Sequence, residues 1–276
     1  MKNVLLTIEY DGTNFSGWQS QPDRRTVQGE LERVLSILCR QHITLQGTSR
    51  TDAGVHAYGQ RACFKGEFGI PTERIPLAAN HLLSREKTFS VGDIRITEAI
   101  EVPEGFHPRF SAIGKKYIYK IINSEIPDIM QRNFFYQVEK PLNFYDMEQA
   151  AILLLGEQDF QCFMAAGGKI PESTVRKIYS AKLNRRPIEK DSNFDSAGYW
   201  SRKGYMIEFE IIGNGFLYNM VRIIVGTLVE IGRGQLSPGD MSRIIMSRDR
   251  QQAGHTAPPG GLYLAEVYFK EEEMSL

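Results

Sequence analysis

The chain is poor in cysteine, and what it has is dispersed. Its 276 residues include three cysteines, Cys39, Cys63 and Cys162. They lie far apart without metal-ligand spacing, and an odd number does not make a disulfide framework. They read as buried thiols of a reducing compartment. Excess charge of one sign is also missing, because 33 basic and 33 acidic residues cancel to a net charge of +0. A polyanionic partner would therefore have to be met by a local basic face. The longest apolar run, Met220 to Ile231, is interrupted by Arg222 and Glu230 and is too short to cross a bilayer. The histidines, His42, His56, His81, His107 and His255, show no paired spacing with each other or with cysteine, so no metal is expected. Met1 to Tyr10 reads directly as a strand, without the basic region and apolar run of an export signal, and a cytoplasmic location is the expectation.

What remains is ordinary globular material, 42% hydrophobic and 24% charged, enough for one large domain or two of usual size. Hydrophobic periodicity predicts a strand at Asn3 to Glu9, a helix at Val27 to Arg40, a β-prone stretch at Ile43 to Gln46 and a strand at Ala57 to Phe68. A helix at Thr72 to Leu83 and a strand at Phe89 to Glu101 follow. The second half reads as strands near Lys116 to Ile122 and Phe134 to Gln137, then a helix at Asn143 to Leu155. Strands at Val175 to Asn184 and Tyr205 to Ile212 lead to the buried apolar helix, a helix at Pro238 to Ser247 and a strand at Leu262 to Phe269. Strands mixed with helices on one side define an α+β protein. Two halves of similar plan, 1–105 and 106–276, would share an antiparallel sheet with a cleft between them. The division falls near Val102 to Gly114, where Pro103, Gly105, Pro108 and Gly114 interrupt regular structure.

The stretch Gly47 to Gln60, GTSRTDAGVHAYGQ, carries the chemistry. Asp52 lies among Thr51, Ala53 and Gly54, two residues after Arg50, so a short turn between two strands would present its carboxylate at the rim of a scaffold. The bland alternative is an Asx-turn in which Asp52 bonds its own backbone, Gly54 supplies positive φ and Arg50 pairs at the surface. Arg222 is the second candidate. An arginine between Val221 and Ile223 in an apolar helix calls for a partner; Asp52 is the natural one, and a stem that snorkels to the surface is the other reading. Arg109, Lys115, Lys116 and Lys120 form one acid-free basic stretch, and Arg176, Lys177, Lys182, Arg185 and Arg186 another.

The string RTDAGVHA resembles the signature of the tRNA pseudouridine synthase A family, and four further segments are similar to that family in the same order. They are IEYDGTNFSGWQ from Ile8, FHPRFSAIGKKYIYKI from Phe106, GNGFLYNMVRIIVGTLVEIGRG from Gly213 and AGHTAPPGGLYLAEVYF from Ala253. His255 stands where the family pattern has proline, and Asn184 to Lys203 is long and irregular for a connection. The resemblance implies a pseudouridine synthase fold of two α/β halves with a basic cleft, a homodimer, tRNA as partner and no cofactor. The reaction implied is isomerisation of uridine in the anticodon stem-loop at positions thirty-eight to forty. Asp52 would be the catalytic carboxylate. Tyr117 would stack on the base and assist proton transfer, although strand alternation puts Tyr119 on the same face. Arg50 would fill the space of a flipped base, and Leu262 would wall the uracil. Arg109, Lys115 and Lys116 would meet the phosphates.

Other readings fit less of the chain. Glu9-Tyr10-Asp11-Gly12-Thr13 lacks the leading aspartate of a DxDGT phosphatase. Gly213-Asn214-Gly215 lacks the third glycine of a dinucleotide loop, where Tyr218 stands. A non-catalytic RNA-binding module is the alternative that uses the basic segments without Asp52.

Overall fold

The computed structural model describes residues 1–84, 92–167, 171–188 and 204–274. The chain packs as two compact units, one built from Met1–Lys115 with the chain from Tyr263 onward, the other from Lys116–Leu262.

In the first unit β1 (Lys2–Tyr10) lies between β3 (His56–Gly66) and β4 (Ile94–Glu101), antiparallel to both. Val4, Leu6 and Ile8 have no exposed surface, each stabilising the unit by about 1.5–3 kcal/mol. The last strand, β10 (Leu262–Tyr268), joins the far side of β3 in parallel, with Tyr263 opposite His56. A wholly antiparallel sheet was the expectation; this pair departs from it because β10 enters from the other unit rather than through a hairpin.

The helix α1 (Val27–Cys39) starts where Thr26 Oγ1 accepts from the Gly29 N–H at 3.2 Å and ends at Arg40, whose φ is 52°. Its buried residues Val27, Leu31, Val34 and Leu35 follow helical spacing. The predicted strand from Ile43 shrinks to β2 (Gln46–Gly47). Ile43 and Leu45 are buried, but their N–H groups are taken by Ser36 Oγ and Glu32 Oε1 of α1, so no ladder forms there. The predicted helix from Thr72 opens as a tight turn through Arg74 and becomes α2 (Ile75–Leu83). Pro76 accounts for the break, as proline lacks the N–H that a continuing helix needs. The first residues of the strand predicted from Phe89 lie outside the described residues. Pro108, read as a breaker, instead opens the one-turn α3 (Pro108–Ser111), capped by the His107 ring.

The second unit orders its strands β5 (Gly114–Ser124), β9 (Gly204–Gly213), β8 (Val175–Pro187) and β7 (Gly156–Asp159), with β6 (Tyr136–Val138) beside β5. Polar, half-exposed β7 carries no alternating pattern, which is why it escaped sequence reading. The Asn184 to Lys203 connection lies largely outside the described residues, though β8 reaches Pro187. Here α4 (Phe144–Ile152) packs on α5 (Met220–Gly232) and on β8. In α5 every side chain is buried except Arg222 and Glu230. The short α6 (Asp240–Ser247) follows. Among the described residues no helix is long and apolar enough to cross a membrane, and no cluster of histidine, cysteine and carboxylates could hold a metal ion.

Candidate active site

The turn at Asp52 is held from below by the chain's first loop. The Val55 N–H donates to the Asp52 carbonyl at 3.1 Å, and Gly54 has φ 78°, as the sequence required. Trp18 N–H donates to the Thr51 carbonyl at 3.0 Å, and the Tyr10 hydroxyl lies 2.7 Å from Thr51 Oγ1 in a buried contact. Gln60 Nε2 donates to the Ser49 carbonyl at 2.7 Å. Gly12 lies so close under the turn that a Cβ there would stand 2.0 Å from the Val55 carbonyl oxygen. With Thr51 and Val55 buried at 7% and 2% exposure, the backbone on both sides of Asp52 is fixed. Asp52 itself is partly exposed, and Arg50 is exposed. A carboxylate on a fixed backbone, open on one side, is what covalent or general-base chemistry needs.

His56 completes the support. Its Nδ1 lies 3.0 Å from the Gly12 backbone nitrogen and 3.2 Å from Asp11 Oδ1, which ties the ring to the first loop. The His56 ring stacks on Tyr263 at 4.8 Å, and Tyr263 stacks on half-exposed Tyr58 at 4.9 Å. Burial pushes the Tyr263 phenol upward.

Lys115 Nζ lies 3.4 Å from the Thr48 carbonyl and 3.3 Å from Ser49 Oγ, just ahead of Arg50. Arg109 is exposed on α3.

In the second unit Tyr117 and Tyr119 are both buried on β5, at 7% and 0% exposure. Their surroundings differ. Tyr119 donates its hydroxyl to the Pro258 carbonyl at 2.7 Å, and burial holds its phenol well above the usual range while Arg222 pulls the other way. Tyr119 is structural. The Tyr117 ring meets Phe216 edge-on at 5.0 Å and 82°, a geometry that fixes the ring plane. Lys116 pairs with Glu210 at 2.8 Å, and Leu262 is buried at 7% exposure. Of the second basic stretch, Arg185 lies over both Phe144 and Tyr205, at 4.8 and 4.7 Å, and Arg186 stands 4.0 Å from Glu208.

Arg222 does not spend its guanidinium on solvent. Nε donates to the Ala257 carbonyl at 2.8 Å and Nη1 to Asn219 Oδ1 at 2.7 Å. Asn219, Phe216, Trp18, Tyr10 and His56 were not identified from sequence as site residues. The spacing of Asn219 and Arg222, one helical turn, was a readable signal; the others needed the fold.

The mixed α/β architecture with its large, mostly antiparallel sheet is consistent with a pseudouridine synthase, an isomerase. The model of the tRNA pseudouridine synthase family matches residues 6–111 and 150–270, and the chain belongs to that family. It is 44% identical over 269 residues to a tRNA pseudouridine synthase A of Ruminiclostridium cellulolyticum, covering 98% of this chain and 100% of the relative. It is equally 44% identical, with the same coverage, to one of Acetivibrio thermocellus. To one of Halalkalibacterium halodurans it is 43% identical, over 95% of this chain and 90% of the relative.

Proposed function

We propose that this protein isomerises uridine to pseudouridine in tRNA, within the anticodon stem-loop at positions thirty-eight to forty, as a cytoplasmic homodimer. Family membership supports the reaction, as do relatives named tRNA pseudouridine synthase A over the full length of the chain. The observation that carries it is the fixed, open turn of Asp52, held by Trp18 and Tyr10 through Thr51.

The reaction breaks the bond between ribose C1′ and uracil N1, turns the ring, and joins C1′ to C5. The C5 proton leaves and N1 gains one, so atoms and electrons balance without an oxidant, a metal or an organic cofactor. Asp52 acts on the sugar, either by attacking C1′ or by taking a ribose proton. Arg222 supplies the charge that keeps the Asp52 carboxylate ionised. Tyr117 stacks on the detached uracil and assists at C5, Leu262 walls the base, and Arg50 takes the place of the flipped nucleotide. Arg109 and Lys115 serve the phosphates, and Lys116 does so on exchanging its Glu210 partner for RNA.

The test uses unmodified tRNA transcript labelled with tritium at uracil C5. The enzyme is expected to release the label to water, and Asp52→Asn to release none. No release at stoichiometric enzyme, or undiminished release by Asp52→Asn, sinks the reading.

A further inference from the structure

We propose that Asn219 is a positioning residue that holds the Arg222 guanidinium in its working orientation, an inference that rests on the role given to Arg222 above. Asn219 is the residue immediately before α5. An asparagine at a helix start normally has extended backbone and accepts a hydrogen bond from an N–H of the first turn. Asn219 does neither. Its backbone is left-handed, φ 59° and ψ 8°, and its side chain makes no capping bond. The oxygen that would cap the helix accepts instead from Arg222 Nη1 at 2.7 Å. Left-handed backbone is one that residues with a side chain seldom adopt, and asparagine is among the few that tolerate it.

The guanidinium thus has two acceptors of known place. Asn219 Oδ1 takes Nη1, and the Ala257 carbonyl takes Nε at 2.8 Å. The Ala257 residue is tied back to the helix by its own N–H, which donates to the Arg222 carbonyl at 3.1 Å. Met220 and Val221, between Asn219 and Arg222, are buried at 1% and 4% exposure, so the backbone carrying both groups cannot drift. Two acceptors on different nitrogens fix the plane and the rotation of a planar cation, which one cannot do. An uncommon backbone and a forgone cap, held by packing beside a chemically committed arginine, are the pattern of a conformation kept for its function.

The test is Asn219→Gly. Glycine adopts left-handed backbone at no steric cost, so the variant removes the acceptor without straining the helix start. Expected are a melting temperature within a few degrees of wild type, roughly the scale of one part-buried hydrogen bond, an unchanged KM for tRNA, and a kcat lowered by roughly tenfold to a hundredfold, the scale of a small misplacement of a catalytic group. In an Arg222→Met background the same change should cost nothing more, because the residue acts through Arg222. Wild-type kcat in Asn219→Gly, or a loss that adds in full to that of Arg222→Met, overturns the proposal. So does a lower melting temperature that alone accounts for the lost activity. An Arg222→Met enzyme of full activity removes the role of Arg222 and this inference with it, whereas an inactive Arg222→Met beside a fully active Asn219→Gly removes only the latter.

Discussion

Arg222 has the composition around it of a core residue and the hydrogen bonds of a placed one. Its neighbours Val221, Ile223 and Ile224 are buried at 4%, 0% and 0% exposure, and its guanidinium engages Ala257 and Asn219. Arg222→Met keeps most of the apolar stem and leaves the Ala257 carbonyl without this donor. We expect kcat to fall at least roughly a hundredfold, as on losing an electrostatic group of a reaction centre. The unfolding free energy should fall by only about 1–3 kcal/mol, the cost of a buried acceptor left unpaired. Steady-state kinetics and denaturant unfolding of the same sample check both halves. The arginine was legible in the sequence because a charge in an apolar helix is conspicuous. The occupation of Lys116 by Glu210 was not, since the two lie on different strands and nothing local links them.

Elements behave likewise. The turn of Asp52 was readable from its glycine and its small neighbours, but its rigidity comes from Ile8 to Gln19, a segment far away along the chain. Gly12 is the sharpest point of that contact. A Cβ at Gly12 would stand 2.0 Å from the Val55 carbonyl oxygen and 2.6 Å from its carbon, both backbone atoms that cannot rotate aside. Gly12→Ala should therefore displace the closing residue of the turn. We expect destabilisation of about 1–3 kcal/mol together with a loss of kcat larger than that of any fully folded control variant, measured at a temperature where both remain folded. Where elements were misjudged, polar groups of a neighbour had intervened. Ser36 and Glu32 take the N–H groups that Ile43 and Leu45 would have given to a strand, and β7 is a strand only because β8 offers it a ladder.

At the scale of the whole molecule the thiols report on both units, with Cys39 and Cys63 in one and Cys162 in the other. All are buried, and burial pushes the Cys63 and Cys162 thiols up to about 12. At pH 8 their alkylation in the native protein should be roughly a thousandfold slower than that of an ordinary thiol titrating near 8.5, and denaturant should restore the ordinary rate. The linkage has a definite sign. The native state holds these protons more tightly, so their contribution is complete below about pH 8.5 and declines as pH rises toward the folded values, where the unfolded chain ionises first. Alkylation at the ordinary rate without denaturant would contradict the burial.

The sequence by itself determined the order of most elements and the turn that presents Asp52, because periodicity and turn chemistry are local properties, while the class rested on the resemblance of five motifs in order. Tertiary structure alone decided that β10 runs parallel to β3 and returns to the first unit, that the Tyr119 hydroxyl reaches the Pro258 carbonyl, and that the Asn219 side chain accepts from Arg222 instead of capping its helix. Each of these depends on which distant acceptor lies within about 3 Å, and only packing sets that distance.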